Sequence, residues 1–146
     1  MKSKVEQPIA VVCTFTWIGF ICAISFMEAW LKFRAPGVTL PIGLGIGRLV
    51  FAALNKVEWV FAAAILICNM RVAKKLNFNL FYILAILILI IQTAWLLPGL
   101  DARAVLYIEG KTVPHSNLHL YYAIAEGIKF ITLFIFGTKL FKLEKA

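Results

Sequence analysis

The chain has 146 residues, of which 62% are hydrophobic, 15% charged and 14% aromatic, and it carries a formal net charge of +8. A soluble domain typically has about 25% charged residues, whereas here the apolar residues fall into blocks long enough to cross a hydrocarbon core of roughly 30 Å; this excludes a soluble domain, a disordered tail, a coiled coil and a disulfide scaffold. The basic residues flank apolar blocks and form no dense patch among exposed aromatics, which points to membrane topology and away from nucleic acid.

The N-terminus, Met1-Lys2-Ser3-Lys4, has the charge of a signal peptide, but the apolar run after it is too long for one and lacks a small-residue cleavage site. An uncleaved first span is expected over about residues 9–33, with Pro8 at a helix-compatible first turn and Trp30, Lys32 and Arg34 as interfacial anchors. Pro36-Gly37 and Pro41 break the chain. Ile42–Leu54 then reads as a short interfacial helix or as the lead-in to span two. Its Gly43, Gly45 and Gly47 do not complete a dinucleotide fingerprint, because Arg48 stands where a third glycine would and no strand precedes them; Gly43-x-x-x-Gly47 fits close helix packing instead.

Counting back about 20 residues from Met70 sets span two at about 51–70, with Asn55, Lys56 and Glu58 in its first turns. A basic turn of Arg71, Lys74 and Lys75 leads to span three, about 78–97, whose only polar interruptions are Gln92 and Thr93 near its far end. Pro98-Gly99 is expected to end that span, and Leu100–Pro114 to lie on the membrane surface as a partly helical loop. Ser116 or Asn117 can cap span four, about 118–138, which closes in Lys139, Lys142 and Lys145. The expected fold is all-α and integral to the membrane: a four-transmembrane-helix bundle forming a single polytopic domain over residues 1–146.

Lys and Arg near the span ends number eight on the side of the termini and six, more thinly spread, on the other. This sets both termini in the cytoplasm of an inner-membrane protein. Cys13, Cys22 and Cys68 all lie within apolar blocks, odd in number and without C-x-x-C spacing, so they read as packing residues.

With that topology most ionisable residues in the apolar blocks fall in the outer half of the membrane. Glu28 lies near the outer end of span one, Glu58 near that of span two, and His119 in the first turn of span four, with His115 just before it. Glu126 is seven residues beyond His119 on the same helical face, about 10 Å deeper, and Tyr122 and Lys129 continue the stripe. Such residues are costly against lipid, so they should face the interior.

Two chemistries suit this cluster. Glu28, Glu58, His119 and Glu126 can supply oxygen and imidazole ligands to a divalent or transition metal, supported by His115, Tyr122 and Lys129. The same groups can instead pass a proton or cation by exchanging partners. A purely structural account competes with both: Glu126 with Lys129 and Glu28 with Lys32 are spaced to pair along a helix, Lys56 can snorkel, and the four helices can serve as a binding or assembly module. A membrane enzyme acting on a lipid or quinone would need an apolar crevice beside His119. No H-E-x-x-H, Glu-x-x-His, Ser-His-Asp or Cys-His arrangement is present, so no catalytic residue is assigned, and binding or passage is expected rather than catalysis. Partners beyond the lipid bilayer would be a second copy or another membrane protein.

Trp17-x-Gly19, Gly47-Arg48-Leu49-Val50-Phe51, Leu100-Asp101-Ala102-Arg103 and the opening His119 of span four give the chain a loose likeness to a group of small four-helix membrane proteins that includes uncharacterised families and membrane domains of the CopD type. The likeness implies the four-helix fold. Haem-binding members would be expected to present a histidine in an early span, and this chain has none before His115, which argues against haem; nor do Met27, Met70 and the scattered cysteines make a copper motif.

Overall fold

The computed structural model describes residues 3–5, 7–72 and 79–143. Lys2, Lys74, Lys75, Phe78 and Lys145, which entered the topology and span boundaries above, lie outside the described residues. Four helices are long and apolar enough to cross a membrane: α1 (Pro8–Arg34), α2 (Leu40–Val72), α3 (Leu80–Ile108) and α4 (Leu118–Lys139). Two short strands, β1 (Ser3–Val5) and β2 (Phe141–Leu143), pair antiparallel and hold the two ends of the chain together. At 1.5 Å per residue the helices are about 33 to 50 Å long, so the longest outrun a hydrocarbon layer of about 30 Å.

Residue chemistry sets the helix ends. Pro8 opens α1, where a missing N–H costs nothing. The Asn79 side chain accepts from the Phe81 N–H at 3.0 Å and caps α3. Ser116 Oγ accepts from the Leu118 N–H at 3.2 Å at the head of α4. Gly37 and Gly110, with φ of +82° and +70°, turn the chain after α1 and α3.

Two segments differ from expectation. Leu40–Val72 is one uninterrupted helix, so no separate interfacial helix precedes span two. Its glycines persist within the helix because neighbouring side chains occupy their missing Cβ positions: a Cβ on Gly43 would overlap the Phe33 ring, and one on Gly47 would lie 3.2 Å from Lys32 Nζ. Nor does Pro98-Gly99 end span three. A widened π turn over Gln92–Leu96 stands directly before the proline, with Leu97 N–H bonded to the Gln92 carbonyl. Pro98 has no N–H, and in a regular helix its ring collides with the carbonyl four residues back. Widening the turn relieves that collision, and the helix runs on to Ile108. What was expected as a surface loop is therefore mostly an extension of α3, joined to the first turns of α2 by an Arg48–Asp101 pair at 2.5 and 3.1 Å.

Each helix packs against its sequence neighbours, and α1 closes the ring against α4. Toward the termini the interior is apolar: Trp17, Ile21, Ile65, Leu89, Leu133 and Phe136 interlock there, and buried Tyr82 donates to the Ala62 carbonyl at 2.7 Å. At the opposite end the helices line a half-open cavity of about 410 Å³. Between the apolar half and the cavity lies a layer of buried charge.

Candidate functional site

In α4 the spacing of Tyr122, Glu126, Lys129, Leu133 and Phe136 places them along one face, and all five are buried. Glu126 and Lys129 lie 8 and 11 residues into the helix, about 12 and 16 Å from its start. They meet Glu58 of α2, Gln92 of α3 and Trp17 of α1, so all four helices contribute to a single network, α4 with two residues.

Lys129 Nζ is at the centre. It is ion-paired with Glu58 Oε1 and lies 3.2 Å from Glu126 Oε1. It also donates to Gln92 Oε1 at 2.6 Å. The Gln92 amide in turn donates to Glu126 Oε1 at 2.9 Å, and Trp17 Nε1 donates to Glu58 Oε1 at 2.9 Å. Gln92, Glu126 and Lys129 are 0% exposed and Glu58 is 1% exposed. The second oxygens, Glu58 Oε2 and Glu126 Oε2, are buried with no hydrogen-bond partner among the described residues. Two carboxyl groups thus share one ammonium. The set is neutral only when one carboxyl keeps a proton or a further cation joins it, and an uncompensated charge at such a depth is strongly disfavoured.

Toward the cavity, Tyr122 adjoins Glu126, Glu58 and Ser25 and packs edge-on against Phe51 at 5.3 Å. Tyr122 also lines the cavity, as do Asn55, Thr93 and His119. Asn55 Nδ2 and Trp59 Nε1 both donate to Thr93 Oγ1, at 2.9 and 3.0 Å, while that hydroxyl donates to the Leu89 carbonyl at 2.7 Å. This cross-link stiffens the wall between α2 and α3.

The stripe expected on α4 is present for Tyr122, Glu126 and Lys129, and Glu58 joins it. Glu28 does not: it pairs with Lys32 at 3.1 Å, one turn along its own helix. His119 is exposed at the cavity wall, and His115 is exposed in the linker before α4. Among the described residues no three His, Cys, Asp or Glu side chains gather closely enough to hold a metal ion, so Glu28, Glu58, His119 and Glu126 are not assembled as one ligand set. Sequence reasoning treated Gln92 as a mere interruption and placed Trp17 in the Trp17-x-Gly19 string, outside the polar cluster. The available signal was that a lone Gln in an otherwise apolar span needs a buried partner.

Comparison with protein-family models, with curated proteins and with solved structures finds nothing that matches this chain.

Proposed function

We propose that this protein is an inner-membrane four-transmembrane-helix bundle, both termini cytoplasmic, in which Glu58, Glu126, Lys129 and Gln92 hold a proton and exchange it with the outer cavity past Tyr122. The observation that carries the reading is the imbalance of two buried carboxyls against one buried ammonium, with one oxygen of each carboxyl unpartnered. A proton on either carboxyl balances the charge, and both carboxyls touch the same ammonium. Shifting Lys129 from one to the other therefore moves the proton's place without exposing a bare charge. A proton is favoured over a metal ion because the donors present are two carboxyls and an ammonium, and an ammonium repels a metal.

The test is difference infrared spectroscopy of the protein in lipid nanodiscs, read at the carbonyl stretch of a protonated carboxylic acid. The parent should show a buried protonated carboxyl whose signal changes with pH and shifts in heavy water. Glu126→Gln should remove or displace it. A parent with no such band, or with a band that responds to neither pH nor heavy water, overturns the proposal.

One observation favours a second reading. Because all four helices contribute to the network, the cluster can act purely as a register lock in a binding or assembly module. Proton exchange separates the two. If the cluster is only a lock, the band of the protonated carboxyl stays fixed as pH changes and does not shift in heavy water. If it is a proton site, the band responds to both.

A further inference from the structure

The outer cavity has a chemistry distinct from the cluster beneath it. Its walls are largely apolar, with Phe33, Leu44, Phe51, Leu97 and Leu100 among them, and Lys32, Arg48 and Lys56 also line it against the single carboxylate of Asp101. Arg48 is occupied by Asp101. Lys32 is different: its side chain is only 9% exposed, and among the described residues its ammonium donates to Glu28 alone, at 3.1 Å. An ammonium has three N–H donors. This one is set between the Phe33 and Phe51 rings, 5.5 and 5.4 Å from their centroids, in space left by the absent side chain of Gly47. Two aromatic faces and a glycine hold a desolvated cation at the wall of an apolar chamber, with donors to spare.

We propose that this cavity binds a single-chain amphiphile with a carboxylate head, a long-chain fatty acid, its carboxylate on Lys32 Nζ and its chain along the apolar wall. Size and charge select this ligand. A volume of about 410 Å³ lies in the range of pockets that take one drug-sized molecule, about 300–1,000 Å³, and is small for a two-chain phospholipid. With Glu28 counted beside Lys32, and Asp101 beside Arg48, the cations Lys32, Arg48 and Lys56 still exceed the carboxylates by one charge, which selects an anionic head over a neutral one. Lys32 lies two residues before the end of the apolar span Pro8–Arg34, which sets the ammonium near the depth where an amphiphile's head resides.

The inference is independent of the proton reading, since Lys32 and Gly47 belong to the chamber alone. The experiment is equilibrium binding of radiolabelled palmitate to the full chain in phosphatidylcholine nanodiscs, with hexadecanol and phosphatidylglycerol as competitors. Saturable binding of one palmitate per chain is expected, displaced poorly by either competitor. Lys32→Met should weaken it by about thirtyfold or more, the usual effect of removing one partner of a desolvated charge pair. Gly47→Val, which crowds the ammonium while keeping the charge, should weaken it as well, and it keeps the test decisive if Lys32→Met does not fold. Glu126→Gln should bind palmitate like the parent even if its proton signal is gone. Absence of saturable binding, equal competition by hexadecanol or phosphatidylglycerol, or folded variants that bind as well as the parent would each overturn the assignment.

Discussion

Lys129 is the residue on which the interior depends. It is fully buried and contacts Glu58, Glu126 and Gln92, so replacing it with Met leaves two carboxyls facing each other without a cation. Breaking a buried pair in this way costs about 3–5 kcal/mol, and Lys129→Met should lower the unfolding temperature markedly in detergent. Adding Glu58→Gln and Glu126→Gln to that variant removes both orphaned carboxyls and should recover most of the loss. A triple variant no more stable than Lys129→Met would show that the cost comes from lost packing of the lysine stem. Gln92 has a quieter role: it accepts from Lys129 and donates to Glu126, bridging an ammonium and a carboxyl that a leucine at this position would leave short of a partner.

The helices owe their lengths to local devices that compensate for unfavourable residues. The π turn before Pro98 is one. Pro98→Ala restores the N–H and removes the ring, allowing the turn to tighten to regular α geometry, which drops one residue from the turn and rotates Leu97–Ile108 by about 100°. Ala104, 7% exposed in the native arrangement, would then swing outward. A cysteine placed there by Ala104→Cys should be protected from a water-soluble maleimide in the parent and modified rapidly with Pro98→Ala; equal protection in both would show that α2 packing alone sets the rotation. Gly43 is the second device. A Cβ there meets the Phe33 ring, but Phe33 is 39% exposed and can swing outward, so Gly43→Ala should cost only about 1–3 kcal/mol, with Phe33→Leu recovering part of it in the double variant by thermal unfolding.

At the scale of the whole molecule, three layers follow one another along the helices: an apolar half beside the chain termini, a charged network, and a cavity at the far end. Packed apolar side chains close the network off on the side of the termini, and on the other side Tyr122 stands between it and the cavity. The antiparallel pairing of β1 with β2 holds both chain ends at the closed face. A cysteine at the α3–α4 turn, Gly110→Cys, should therefore be labelled from the membrane face opposite to epitope tags on the two termini. Labelling from the same face as the tags would contradict the four-span topology.

The four apolar segments, their order, the caps at Ser116 and Asn79 and the polar stripe of α4 are local properties. Each depends on hydropathy, on 3.6-residue periodicity or on a neighbour a few positions away, so the sequence by itself determined them. The union of Glu58 with Glu126 and the recruitment of Trp17 and Gln92 were decided by the tertiary structure; the Glu28–Lys32 pair, one turn along its own helix, was legible in the spacing. These depend on the rotation of each helix about its axis relative to its neighbours. That rotation is shifted by π turns and close glycine contacts, whose effect depends on residues far away in the chain. Pro98 shows the limit most clearly: alone it signals a helix end, and only a wide turn in front of it, within a packed set of helices, carries α3 past it to build the cavity wall.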